Sequence, residues 1–533
     1  MGRFSLPAGS ELEGQANLVR LCPRSKGVIR CWPSVKSAVV CPTIPRGNHT
    51  IEPSVTETAD DMARIYPFKA LRYDTQKVAM EDVVTQPYDK ISPAMQQAYY
   101  ERSKYNLIRV ILGKRELYDT DPFAANAAEV PQQNVYTRAA ESLASWRKKN
   151  ILREETEPAF YGYSQTYTVP GTQDVQERRG FIALGHLYDY AEQVVHRHEQ
   201  TFPKHKSDRL ALFKATRAYC EQIYMLYSDP AFTAEKLIFN PDADGKPQAP
   251  ADLLITDEYG VEHRVWKLTD AHLINLITTA MQDKKLIIAD GHHRYETSVA
   301  YMHERAAELG LTGKTSAGGD EDESPSNRSD EPHARNLVPE FPEAAMMMTF
   351  VNMNAPGITI LPTHRVVFGL ANFSTEAFLS KAEQYFEITA LPDAETIHLA
   401  GASDVAFLAA TADGNHLLTA KPDAIQQALQ QMHPEISKRQ AGLDVVQLHN
   451  IVLEHLLGLT HASIANVENI RYVRDAQEAV AQVHGGTANV AFLIKPVTLD
   501  QLRDISLSND VMPQKSTDFY PKLLSGLAIY ALD

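Results

Sequence analysis

Between Lys284 and Leu309 the polarity of the chain changes period. Leu286–Ala289 is a continuous apolar run of strand length, and Asp290-Gly291-His292-His293-Arg294 is polar. Apolar side chains then recur at Tyr295, Val299, Met302, Ala306 and Leu309, at spacings of four, three, four and three. That spacing marks one helix face, so a strand, a turn and a helix are predicted in that order. Similar patterning predicts strands over Lys104–Leu112 (Leu107, Ile108, Val110, Ile111), Arg178–Leu187, Ala345–Val351 and Ile358–Leu361. Ser207 is read as the cap of a helix running to Ile223, with Leu210, Phe213 and Cys220 on one face. Beyond about residue 371 the pattern predicts a helix over 374–386, a strand over 404–410, and helices over 422–431 and 444–457. No fixed-period repeat is present. The class read from this order is mixed α/β (α+β), with no clear doubly wound series.

Two stretches lack any such period. Residues 1–61 are rich in Pro, Ser, Gly and Arg, and regular patterning starts only near Ile65. They are expected to be a disordered extension, and Met62 stands where the biological start is expected. Residues 310–336 are polar and acidic, which predicts a disordered insertion. Its Gly313-Lys314-Thr315 does not make a phosphate loop. Glu308 stands where that loop needs glycine, and no strand precedes it. The expected division is therefore 1–61, a phosphate-binding region over 62–370, and a further α/β unit over 371–533.

Charge and cysteine content narrow the function classes. The net charge of −15 over 533 residues repels phosphate backbones at long range, which disfavours nucleic acid but leaves room for a local anion site. No run approaches the roughly 18–20 apolar residues that span a membrane. Four cysteines, three of them at Cys22, Cys31 and Cys41 without a CxxC pair, fit neither a disulfide scaffold nor a zinc site. A reducing, cytoplasmic setting is expected.

The strongest chemistry lies in the 290–294 turn. A helix N-terminus carries unpaired N–H groups and partial positive charge, so it attracts anions. Gly291 admits a ligand to the backbone. Arg294 offers a planar fork to phosphate oxygens, and His292 and His293 can donate to phosphate or move a proton. Asp290 is a candidate for holding a metal ion, orienting a histidine or capping the helix. Glu199, in the segment HRHEQTFPKHKSDRL (196–210), is a candidate general base, with His198, Lys206, Asp208 and Arg209 as candidate pocket residues. Lys515, Ser516 and Thr517 can offer a cation and hydroxyls from a loop whose prolines and aromatics suggest a fixed shape. His364 and Arg365 repeat the His-Arg pairing after a strand. Gln86–Asp89 reads as a turn before a helix, and Asn106 and Arg109 are weaker candidates.

Several strings in order, IYPFKALRY (65–73), QPYDKIS (86–92), YNLIRVILG (105–113), HEQT with KSDRL (198–210), DGHHRYE (290–296), LPTHRVV (361–367) and MPQKSTDFYPKL (512–523), resemble the "domain of unknown function 1015" family. The resemblance covers about residues 65–533 apart from the insertion. The DGHHR turn is similar to the phosphate-binding turn of the ParB–sulfiredoxin superfamily, which implies a ParB/sulfiredoxin-like core with an additional C-terminal α/β unit. Sulfiredoxins carry Gly-Cys-His-Arg at this turn. His292 fills the cysteine position here, which disfavours their chemistry. Similarity to the superfamily's free serine kinases implies that residues 290–294 hold phosphate, with ATP or ADP and Mg²⁺ as cofactors and a small hydroxyl metabolite, L-serine first, as acceptor. The glutamate base of those kinases does not carry over, and Glu199 is chosen from its local chemistry. Two rival expectations are a ParB-like nucleotide-binding regulator and a metal-dependent phosphohydrolase or nuclease with Asp290, His292 and His293 as ligands.

Overall fold

Largely buried strands alternating with half-buried helices build two large sheets and three two-stranded ones among the described residues. The computed structural model describes residues 62–124, 132–201, 203–239, 250–311, 338–402 and 405–533. The 1–61 leader with Cys22, Cys31 and Cys41, the 310–336 stretch from residue 312 onward, and the His205 side chain lie outside the described residues.

The first sheet has nine strands. Its order is Val195–His196, Leu286–Asp290, Ile223–Tyr227, Ala345–Asn352, Val175–His186, Phe160–Thr168, Glu262–Leu268 and Leu253–Thr256, with Ile65–Tyr66 paired to the Val175–His186 strand. Two pairings are parallel, Leu286–Asp290 with Val195–His196 and Ala345–Asn352 with Ile223–Tyr227; the rest are antiparallel. The observed class is thus mixed α/β with a large mixed sheet.

The second sheet runs Phe386–Leu391, Gly414–Ala420, Ala406–Thr411, Val490–Leu493, His364–Val367, Ile470–Val473. Its Ala406–Thr411 strand is buried at every position. Phe407 and Ala409 pack with Phe378, Ile425 and Ile451, whereas Leu408 and Ala410 pack with Leu399, Ala479 and Val483. Burial on both faces removes any alternation of polarity from such a strand.

After the Val490–Leu493 strand the chain leaves the second sheet, and Val497 with Leu502 and Ile505 of the Leu499–Leu507 helix already packs in the core of the first. Met512, Phe519, Leu524 and Ile529 join the core formed by Leu184, Met225 and Ile288. Asp518–Tyr520 pairs with Thr359–Leu361, and Tyr530–Ala531 with Ala218–Tyr219. This returning strap carries Lys515–Lys522 to the end of the Leu286–Asp290 strand.

Four predicted elements differ from those observed. Lys104–Leu112 is not a strand; Ile108–Ile111 forms a single helical turn. Asn106 causes the bend, since its Oδ1 accepts the Ile108 N–H at 3.0 Å and its Nδ2 donates to Asp82 O at 2.7 Å. Ser207 is not a cap, because the helix already begins at Pro203, a residue suited to a first turn. It ends at Thr216 as Arg217 turns left-handed (φ 51°), and Ile223–Tyr227 becomes a strand. In the His292–Glu308 helix the buried stripe is Arg294, Tyr295, Thr297, Ser298 and Tyr301, while Leu309 is 48% exposed. Polar groups are tolerated inside because Ser298 Oγ donates to Arg294 O at 2.9 Å and Thr297 Oγ1 to His293 O at 2.6 Å. The remaining helix over 444–457 is split into Asp444–Gln447 and a wider-wound Leu448–Leu456 segment.

Candidate functional site

The register between Leu286–Asp290 and Ile223–Tyr227 slips after Ile288: Ile288 lies opposite Met225, but Asp290 lies opposite Tyr224. A bulge of this kind re-aims one side chain at a strand end. Here it directs Asp290 to the strap, where Lys522 Nζ donates to Oδ1 at 2.8 Å and Arg294 donates to Oδ2 at 3.1 Å. Gly291 then adopts φ 98°, which only glycine takes without strain, and a Cβ there would stand 3.1 Å from the Arg294 guanidinium. Gly291 leaves the first turn of the His292–Glu308 helix without a side-chain cap, facing a cavity of about 530 Å³.

Four segments meet around this cavity: the 88–91 turn, Glu199–Gln200, Ala289–Arg294, and Lys515, Thr517 and Lys522 of the strap. Positive charge concentrates on one wall. Lys522 Nζ lies 3.2 Å and Lys90 Nζ 3.4 Å from the same oxygen of Asp518, whose other oxygen accepts from Arg474 at 2.6 and 2.7 Å. The neighbouring Lys522, and then burial, lowers the Lys90 ammonium below the ordinary lysine value. Burial alone would raise the Asp290 carboxyl, but Lys522, Arg294 and Lys90 outweigh it and hold Asp290 well below the usual carboxylate range.

Glu199 faces the same cavity from the opposite segment. Its Oε1 accepts the Lys515 N–H at 2.8 Å, which fixes the strap beside it. Burial lifts its carboxyl above the ordinary glutamate value, against the opposing charge of Lys515. Lys515 itself sits at φ 58°, a left-handed conformation that costs about 1–2 kcal/mol for a non-glycine residue. The surrounding bonds maintain it: Lys515 O accepts from Arg365 at 3.1 Å and Met512 N donates to His198 O at 2.8 Å.

The sequence-predicted residues thus separate into two groups. Glu199, Asp290, Gly291, His292, His293, Arg294, Lys515, Thr517 and Asp208 line the cavity. Arg294 is almost wholly buried beneath Gly291 and holds Asp290 and Gln222 O, so it braces the turn instead of standing open as a fork. The others stand behind the walls. His198 is buried, packs edge-on against His292 at 4.6 Å and meets Thr517 Oγ1 at 2.9 Å. Arg209 bonds Asp208, lies 3.5 Å from Glu221 and covers the Tyr88 ring at 4.0 Å, bracing the turn that presents Lys90. Lys206 pairs with Glu296, and Ser516 donates to Pro513 O. Arg109 is not among the lining residues, and its guanidinium donates to Tyr100 O at 3.0 Å.

His364 and Arg365 are scaffold. Arg365 is fully buried and holds the strap through Lys515 O, and burial pushes its pKa down to about 10. His364 Nδ1 accepts the Ile494 N–H at 3.3 Å, and burial pushes its pKa down to about 4. The unfolded chain titrates this group near 6.5. Below that value the unfolded state binds the extra proton, so stability is full above about pH 6.5 and falls toward pH 4. His364→Asn is expected to remove roughly 3 kcal/mol of that fall. Urea unfolding at pH 7 and pH 4.5 checks this; parallel pH profiles for both proteins would refute it.

Lys90, Lys522 and Asp518 were not singled out by the sequence. Each had a signal: Lys90 closes the QPYDK turn, and Asp518 and Lys522 lie in the MPQKSTDFYPK string, but none of these positions identifies its partner.

The donor set does not suit a metal ion held by protein alone. Both Asp290 oxygens are engaged by cations, and no group of three His, Cys, Asp or Glu among the described residues can hold one. No helix among the described residues is long and apolar enough to cross a membrane.

A family model described as a protein of unknown function (DUF1015) matches residues 65–446. No curated protein matches the chain. Among solved structures the chain is similar to a conserved hypothetical protein from Pyrococcus furiosus, at 10% identity over 62% of this chain and 89% of that one (TM-score 0.28). It is also similar to a free serine kinase in complex with AMP, at 12% identity over 61% and 83% (TM-score 0.27), and to SbnI with a C-terminal truncation from Staphylococcus aureus, at 10% over 64% and 85% (TM-score 0.30).

Proposed function

Because the chain belongs to the DUF1015 family, which is described only as of unknown function, we propose its activity from the cavity itself: a nucleotide-dependent phosphotransferase acting on the hydroxyl of a small metabolite. The observation that carries this reading is the sharing of one Asp518 oxygen by Lys90 and Lys522, on a cavity that also contains Glu199. Two ammonium groups crowded onto one carboxylate oxygen favour a further anion beside them. The uncapped helix turn at His292 faces the same space and adds N–H donors suited to phosphate.

The transfer step follows from that layout. The acceptor hydroxyl oxygen bonds to the terminal phosphorus as the bond from phosphorus to the bridging oxygen breaks. The hydroxyl proton passes to Glu199. The nucleotide departs with the bridging oxygen and its negative charge, which Lys90, Lys515 and Lys522 offset. Positioning and charge stabilisation supply most of the catalysis in such transfers. Asp290 is a positioning residue in this scheme, because it holds Lys522 in place. The ParB/sulfiredoxin-like placement of the 290–294 turn, and L-serine as the first acceptor to try, are part of the proposal and come from resemblance.

Thermal unfolding with ATP, ADP, CTP and GTP, each with and without Mg²⁺, tests the reading. A bound nucleotide at 100 times its Kd is expected to stabilise the protein by about 2.7 kcal/mol. The stabilising nucleotide is then used as donor in a ³¹P assay with L-serine and other small alcohols. No stabilisation by any nucleotide would sink the reading.

A further inference from the structure

Given phosphoryl transfer at the lysines, the geometry points to a second cavity as the pocket for the donor's nucleoside, with Tyr259 as the ring on which its base stacks. This cavity, of about 450 Å³, shares Asp89, Lys90, Lys515, Thr517 and Lys522 with the first. The lysines therefore form a ridge with space on either side. Glu199 lines only the first cavity.

In-line displacement sets the attacking and departing oxygens on opposite sides of the phosphorus. With the proton acceptor in the first cavity, the hydroxyl arrives from there. The departing nucleotide then lies across the ridge, in the second cavity. Its volume falls in the range of small-molecule pockets, roughly 300–1,000 Å³.

The walls on that side suit an aromatic heterocycle. Tyr259, Tyr472 and Tyr520 line it, and the Arg474 guanidinium lies 5.2 Å from the Tyr520 ring centroid. Tyr259 is 56% exposed, so its ring adds little to the core. Its backbone is nevertheless held, the N–H donating to Asp257 Oδ1 at 2.9 Å. Gln86 Nε2 donates to Asp257 Oδ2 at 3.1 Å, which places a carboxamide and a carboxylate on the same wall. Base–aromatic stacking tolerates any base, and polar wall groups of this kind select among them.

The test compares wild type, Tyr259→Ala and Tyr259→Phe by titration calorimetry with ATP, ADP, tripolyphosphate and pyrophosphate. Tyr259→Ala is expected to weaken ATP and ADP on the order of 10-fold and to leave both polyphosphates within about 2-fold, whereas Tyr259→Phe keeps wild-type affinity for all four. Unchanged ATP and ADP affinity in Tyr259→Ala overturns the assignment and leaves the phosphotransfer reading standing. An equal loss for polyphosphates also overturns it, because the ring would then act through the ridge. Failure of every nucleotide to bind wild type defeats the phosphotransfer reading and, with it, the pocket.

Discussion

Lys522→Met is expected to abolish nucleotide-dependent stabilisation and to slow phosphoryl transfer on the order of 10³-fold or more. Three features make this the largest single effect. Among the described residues Lys522 is the one ammonium that bonds Asp290, at 2.8 Å, while also lying 3.2 Å from Asp518. It lines both cavities, so it touches whatever crosses the ridge. It is also buried, and although burial opposes its charge, Asp290 and Asp518 raise its pKa above the ordinary lysine value, so it is charged at any working pH. Removing one partner from a buried ion network costs about 3–5 kcal/mol, and a corresponding fall in urea midpoint is expected.

The main chain at this position has separate support, and the loop is therefore expected to stay in place. Gln165 Nε2 donates to Lys522 O at 2.8 Å, and Arg178 donates to Tyr520 O at 3.3 Å and to Pro521 O at 2.5 Å. Lys522→Met with Asp290→Asn removes the carboxylate left in excess, since Asp518 keeps Lys90 and Arg474 whereas Asp290 keeps, among the described residues, only Arg294. That double variant is expected to regain part of the lost stability and none of the nucleotide binding. A wild-type nucleotide shift in either variant would contradict the role assigned to the ridge.

The legible parts of this site are those whose chemistry and structure lie close together in the chain. The strand, turn and helix around Asp290–Arg294 announce themselves because an apolar run, a glycine and a helical period are adjacent. Glu199 and Lys515 stand out as titratable groups in unusual strings. The ridge is different: Lys522 and Asp290 are 232 residues apart, and Lys90 and Asp518 are 428 apart. Only the returning strap joins them, and no local pattern encodes its path. Burial is the second blind spot. Arg294 and Arg365 look alike in sequence, each following a histidine, so the second repeats the pairing in which the first offers a phosphate fork. The first is tucked beneath Gly291 and the second lies under the strap, because a guanidinium that satisfies backbone carbonyls can be buried as readily as one that awaits a ligand.

Glu199→Gln is expected to lower kcat by about 10²–10⁴-fold with little change in the nucleotide's KM. Glutamine keeps an oxygen where Glu199 Oε1 accepts the Lys515 N–H at 2.8 Å, so the strap retains its anchor and the phosphate wall its shape. What is lost is the capacity to take the acceptor's proton. The pH profile separates this from a structural role. Burial lifts the Glu199 carboxyl above the ordinary glutamate value, so a base at this position is protonated and idle at low pH and becomes competent as pH rises through that raised value. The wild-type kcat/KM profile is therefore expected to show an acid limb displaced upward from a free glutamate, and the residual activity of Glu199→Gln to lack that limb. Glu199→Ala removes the anchor as well as the base and is expected to raise the nucleotide's KM in addition. If Glu199→Gln matched wild type in kcat while Glu199→Ala failed, Glu199 would be an anchor for the strap alone. The proton would then have to pass to another group on the same cavity, of which Asp89 and Asp208 are the remaining carboxylates not already committed to Lys522.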